Sequence, residues 1–332
     1  MLGTCPPLII MNRPIFIFLS LIVLTFTVIQ THAAKVMFLY GDRSHKSGDH
    51  EFKAGSHLLA KHLNAQKKVN LTASVHNGWP ENESILDDFD AIVIYADGTK
   101  VIGNGWNKMD QLVREKRIGL LFIHYAVHPD VEEGEKYYLP WIGGFFKNGI
   151  SVNPFWRANI KPLKGHETGR GVGPIKAVDE FYFNIQLDPD SLNLGAATPN
   201  EKNLHHINNI WTRAAYLAKG KKQSLLWGIT RPGGGRGAGF TGGHHHRNWA
   251  IDGYRQLVLN VIAWIAGENV PENGVPTYAV TEDELNEELD DYGEQTNRIK
   301  LPTKEDITFN PGPWMTPEEH AESRKKPKTK KK

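Results

Sequence analysis

Ile118-Gly119-Leu120-Leu121-Phe122-Ile123-His124 is the stretch on which the fold turns. Its apolar run has no polar alternation, so it predicts a strand buried on both faces, as in the middle of a parallel sheet. The run stops abruptly at an imidazole. Working outward, Ala91-Ile92-Val93-Ile94-Tyr95 and Lys35-Val36-Met37-Phe38-Leu39-Tyr40 read as further buried strands, and Val69 to Val75 as an alternating one. Between them, Ala54 to Leu63 and Trp106 to Lys116 carry helical spacing, and Tyr254 to Ile265 is a strong closing helix. Strands alternating with helices at this pace predict an α/β fold with a mostly parallel sheet and helices on both faces. Further strands are expected at Phe155 to Lys161, Leu192 to Ala197, Ser224 to Thr230 and Gly237 to Thr241, across a middle section rich in Gly and Pro.

The ends differ from this body. Arg13, the apolar run Ile15 to Val28 and Thr31-His32-Ala33 have the charge, length and small-residue pattern of an export signal covering residues 1–33, with Met11 a better initiator than Met1. The rival reading is a retained anchor, but the run is shorter than the roughly 20 residues a spanning helix needs. Cleavage would leave no stable membrane span and a periplasmic or secreted protein. Cys5, the only cysteine of the 332 residues, lies in the segment to be removed. Disulfides and thiolate chemistry are thereby excluded from the mature chain. Residues 34–270 are expected to form the α/β domain, and 271–332 an extended or disordered tail with a Lys-rich end. The formal net charge is only +2, with much positive charge concentrated at Arg324 to Lys332, so no nucleic-acid face is expected on the folded body.

In an open parallel sheet ligands bind beyond the carboxyl ends of the strands. Three places there carry titratable residues: Arg43, His45, Asp49, His50 and Glu51 after the first strand; His124, with His128 behind it; and His244-His245-His246 after Gly242-Gly243. Neutral imidazoles and carboxylates suit a divalent metal such as zinc or manganese, although no short His-Glu-x-x-His motif exists and the ligands would converge from distant loops. Gly237-Ala238-Gly239-Phe240-Thr241-Gly242 imitates a dinucleotide fingerprint, but it opens no helix and follows no first strand, so no nucleotide cofactor is expected. A P-loop and a Gly-x-Ser-x-Gly elbow are both missing from the sequence.

His45 to Phe52 (His-x(4)-His-Glu-Phe), Gly119 to His124 (Gly-Leu-x-x-x-His), Asp179-Glu180-Phe181-Tyr182 and Gly243-His244, followed by the Trp-bearing helix Tyr254 to Gly267, come in an order that resembles the ThuA-like (trehalose-utilisation) family over residues 35–267. The resemblance implies a flavodoxin-like three-layer sandwich of the class I glutamine amidotransferase type, with His124 where those enzymes carry their cysteine. A glutaminase is therefore excluded, since no thiol can form the acyl intermediate. The resemblance also implies carbohydrate metabolism, with a sugar or glycoside substrate, and a 3-keto sugar as the species acted on. His124, Glu180 and His244 would be catalytic through acid-base or metal-assisted chemistry, and the same three are the metal-ligand candidates. His45, His50, Glu51, Tyr182 and Trp249 would contact substrate, while Trp79, Trp106 and Trp156 are further stacking candidates. Glu180 is expected on a loop, and His124 within reach of His244 or Glu180. A hydrolase, lyase or isomerase fits this chemistry. The competing readings are a non-catalytic carbohydrate-binding protein and a surface-interaction protein using its Lys tail; oligomeric state is not encoded in any feature found.

Overall fold

The computed structural model describes residues 32–200 and 218–307, with isolated positions at 1, 3, 318 and 322; Arg13, the apolar run Ile15 to Val28 and the Lys run lie outside the described residues. The chain divides into a unit Met1–His32 and a unit Ala33–Lys332. The second unit carries the strands β1 (Ala34–Tyr40), β2 (Leu71–Asn77), β3 (Ala91–Tyr95), β4 (Gly119–Ile123), β5 (Gly144–Phe145), β6 (Phe155–Pro162), β7 (Ile175–Glu180), β8 (Gln186–Leu187), β9 (Leu192–Ala197), β10 (Gln223–Thr230) and β11 (Arg236–Phe240). Among the described residues a nine-stranded sheet runs β2-β1-β3-β4-β11-β10-β9-β6-β7, with β5 and β8 paired apart.

The first five strands of that order are mutually parallel. Their order, with β11 as the fifth, is the flavodoxin-like 2-1-3-4-5 arrangement. The last four pairings are antiparallel. Every residue of β3 and β4 is buried. Because successive side chains alternate across a strand, Val93, Tyr95, Leu121 and Ile123 enter one apolar cluster with helix α1 (Phe52–Ala65) and the closing helix Asp252–Ile265. Ile92, Ile94, Leu120 and Phe122 enter a second cluster with Met109 and Leu112 on the opposite face. Two cores separated by one sheet make the three layers.

Glu180, expected on a loop, ends strand β7 at the sheet edge, beside the fully buried Asp179. Alternation was hidden there by buried charges. The segment from Pro271 to Ile307 lies against the body: Val275, Val280, Leu285 and Ile299 are buried, Tyr278 stacks on His62 at 4.1 Å, and Asp290 N–H donates to Glu51 at 3.1 Å. No described helix is long and apolar enough to cross a membrane.

Candidate functional site

Strand direction sends the ends of β1, β4, β7 and β11 to one edge of the sheet. β7 is four places from β11 in strand order, roughly 19 Å across a flat sheet. The antiparallel extension must therefore curl, because the Asp179 carboxylate accepts from Gly243 N–H at 2.9 Å and from His245 N–H at 3.2 Å, just beyond the end of β11. Tyr254 O–H also donates to Asp179 at 2.6 Å. Burial opposes ionisation of Asp179, but the surrounding histidines, His245 foremost, outweigh it and lower its pKa. Asp179 thus fastens the His244 loop to the end of the strand that carries Glu180.

Four donor atoms converge there. His50 Nε2 lies 3.0 Å from both His244 Nδ1 and His124 Nε2. Glu180 Oε2 lies 3.6 Å from His124 Nε2 and 3.7 Å from His244 Nδ1. One atom from each of these residues lies within 4.8 Å of the others, and the three imidazoles are buried. A tetrahedral zinc with bonds of about 2.05 Å has ligand atoms about 3.3 Å apart, close to the mean of these contacts. One imidazole nitrogen cannot bond well to two other imidazole nitrogens, since it holds either a single proton or a single lone pair. A cation among them satisfies the three imidazole nitrogens at once, with a carboxylate nearby to offset its charge, so the residues fit a divalent metal.

The opposite ring nitrogens are held as metal-bound imidazoles usually are. His124 Nδ1 lies 2.8 Å from Thr241 O, His50 Nδ1 lies 2.9 Å from Ser44 Oγ, and His244 Nε2 lies 3.5 Å from Asp49 Oδ2. A Nδ1–H donated by His124 to a carbonyl leaves its Nε2 lone pair aimed at the cluster. The second Asp49 oxygen meets His245 Nδ1 at 2.8 Å. Burial followed by the neighbouring His244 pushes His124 down to about 4. Burial and then His124 push His50 far below its ordinary value. For His244 burial works against protonation, but Asp49 and Glu180 overcome it and raise the pKa to about 9. Burial likewise opposes the charge on Asp49, and bonds from His244 and His245 still hold it well below the usual carboxylate range.

His50 and His124 both adopt left-handed backbone, with φ of 54° and 56°. A residue with a side chain resists that region. For His124 it makes the sharp turn off β4 that aims the ring across the sheet edge. For His50 the surroundings over-determine it: its N–H donates to His244 O at 2.9 Å, and its carbonyl accepts from Phe52 N–H at 2.8 Å.

No family model and no curated protein matches the chain. Among solved structures it is similar to a ThuA-like protein from Bacteroides uniformis at TM-score 0.51 and 12% identity, covering 71% of this chain and 92% of that one. A ThuA-like protein from Parabacteroides merdae matches at TM-score 0.51 and 13% identity, over 76% of this chain and 98% of that one. A glutamine amidotransferase from Thermotoga maritima matches at 0.40 and 8%, over 71% and 99%. The chain has the fold of ThuA-like proteins.

Within this ThuA-like fold, His50, His124, Glu180 and His244 come together, and His124 lies within reach of both Glu180 and His244. Glu180 sits at the end of β7 instead of on a loop, its other oxygen accepting from Asn153 at 3.0 Å. Tyr182 O–H approaches His124 Nδ1 at 3.4 Å, and burial raises the phenol well above its ordinary pKa. His45, exposed, packs its ring tilted against His50 with centroids at 3.7 Å. Glu51 turns away from the cluster: Gly48 N–H donates to one oxygen at 2.8 Å and Asp290 N–H to the other. Trp249 does not line the cluster either. It is fully buried against Tyr95 and Tyr254, with ring centroids at 6.0 and 5.2 Å. Trp156 is also core, and Trp106 stacks on Tyr137 at 5.0 Å, on the other side of the sheet. The supporting roles of Asp179 and Ser44 went unread, although Asp179 stands beside Glu180 in the Asp-Glu-x-Tyr motif.

Proposed function

We propose that this chain is an exported member of the ThuA-like family that holds one divalent cation on His50, His124 and His244, with Glu180 beside it, and acts on an oxidised (3-keto) disaccharide or glycoside. The observation that carries the reading is the convergence of three buried imidazoles, each backed by its own oxygen partner, with the Glu180 carboxylate beside them. The sugar assignment rests on the motif resemblance and on the likeness to ThuA-like structures, and export rests on the N-terminal sequence.

A bound cation supplies Lewis acidity toward a sugar carbonyl. The three histidines fix its position, and Asp49 orients His244. Glu180 contacts the ring nitrogens at longer range than they contact one another, so it is placed to take the proton from the carbon next to the carbonyl, with Asn153 fixing its free oxygen. Tyr182, whose phenol stays protonated, can donate toward substrate oxygen. Proton removal beside a carbonyl serves either isomerisation of the keto sugar or elimination of its glycosidic partner.

The test is elemental analysis together with turnover of 3-keto glucosides after chelation and addition of zinc or manganese. About one ion per chain is expected. Glu180→Gln should keep the ion and lose turnover, and His124→Ala should lose both. Turnover indifferent to chelation would reduce the reading to acid-base catalysis without metal. A metal-loaded protein that binds sugars with no turnover would make it a binding protein.

A further inference from the structure

A cavity of about 660 Å³ is lined by Asp42, Arg43, Ser44, Trp79, Asp97 and Lys100. It lies beyond the carboxyl ends of β1, β2 and β3. In an order of 2-1-3-4 the connections leave β1 toward opposite sides, so this is the crevice at which such sheets take ligands. Gly41 keeps the β1 and β3 loops together here: a Cβ on it would fall 2.8 Å from the Ala96 Cβ. The volume is within the range of small-molecule sites.

The geometry points to a saccharide subsite in this cavity, taking the second ring of a disaccharide or the aglycone-side sugar of a glycoside whose oxidised ring lies at the histidine cluster; the inference deepens the sugar reading above and rests on it. Continuity comes through Ser44, which lines the cavity while its Oγ lies 2.9 Å from His50 Nδ1. A ligand in the cavity therefore sits one residue from the cluster.

The charges favour a neutral polyol over an anion. Two acids and two bases line the cavity, so their formal charges balance. Lys100 lies 3.9 Å from Asp97. Arg43 donates to Asp291 O and lies 4.8 Å over the Tyr292 ring. No unbalanced cation remains among the lining residues to hold a phosphate, whereas carboxylates are good acceptors for sugar hydroxyls. Trp79 supplies a fixed aromatic surface. Its indole N–H donates to Glu83 at 2.7 Å, and Gly105 packs so closely that a Cβ there would fall 2.1 Å from the ring. An indole held this way offers a sugar ring its apolar area without losing side-chain freedom on binding.

The test measures trehalose binding to the purified protein by calorimetry, with zinc content read separately by atomic absorption. Trp79→Ala and Asp97→Asn should each weaken trehalose at least 10-fold and leave zinc content at the wild-type value. His124→Ala should lose zinc, and adding Trp79→Ala to it should still weaken trehalose at least 10-fold. Trehalose affinity unchanged in both cavity variants would overturn the subsite, as would wild-type protein that binds no trehalose or releases it to inorganic phosphate. Wild-type protein that takes up no zinc yet binds trehalose through Trp79 and Asp97 would sink the cation reading and leave the subsite standing.

Discussion

Replacing His124 by alanine and, separately, by glycine separates the backbone of the site from its chemistry. Both variants lose the imidazole and its contact to Thr241 O. They differ only in whether a Cβ occupies a position with φ of 56°. A side-chain-bearing residue there costs about 1 to 2 kcal/mol. Glycine escapes that cost but gives back roughly 0.5 to 1 kcal/mol through its greater freedom in the unfolded chain. The glycine variant should therefore be the more stable by about 0.5 to 1 kcal/mol, the reverse of the ordering expected in ordinary strand or helix. Urea unfolding in the presence of chelator measures the difference directly, since metal linkage is then removed from both proteins. An alanine variant as stable as the glycine variant, or more so, would refute the claim that His124 is held in strained backbone.

Three further outcomes are expected. His62, disfavoured as a cation first by burial and then by Arg255, has its pKa lowered to about 4, so the folded state prefers it neutral. Its contribution is complete above pH 6.5 and is lost as pH falls from there toward 4, about 1 to 2 kcal/mol after allowance for solvent screening; His62→Gln should flatten the urea midpoint against pH over that window, and an unchanged slope would count against it. Trp249→Ala should cost about 3 to 5 kcal/mol, as a fully buried tryptophan does, with zinc content unchanged; lost sugar affinity at unchanged stability would instead return the residue to the site. Protein from its native host should begin near Ala34 on N-terminal sequencing, and a mature chain starting at Met1 or Met11 would dismiss the export signal.

Much of the fold was legible because β3 and β4 are apolar throughout, a pattern that only the inside of a parallel sheet tolerates. His124 was legible as the first polar residue beyond such a strand. His244 became reachable once Gly242 and Gly243 were read as a loop able to pass close to other atoms. Where reading failed, proximity in sequence misled. Glu51 follows His50 directly, but the left-handed turn at His50 sends the two side chains to different neighbours. Trp249 is near His244 along the chain, yet the 3-10 turn His246–Ala250 carries it into the core beside Tyr95. β7 was hidden because Asp179 and Glu180 look like surface residues, and only a curled sheet supplies the N–H groups and imidazoles that compensate their burial. In 271–307 the anchors Val275, Val280, Leu285 and Ile299 are too sparsely spaced to produce a period.

The contacts that hold the His50 loop reach far along the chain. Ser47 meets Asn297 across 250 positions and His50 meets His244 across 194. At ribosomal speeds of about 5 to 20 residues per second, His50 exists for roughly 10 to 40 s before its partner is made. The segments bearing His50, His124 and Glu180 therefore emerge before His244 can join them, and the His50 loop stays unbraced until the segment around Asp290 and Asn297 arrives. Assembly of the centre is thus a late event in the life of the chain, since His50 meets its partner imidazole only after His244 has been made.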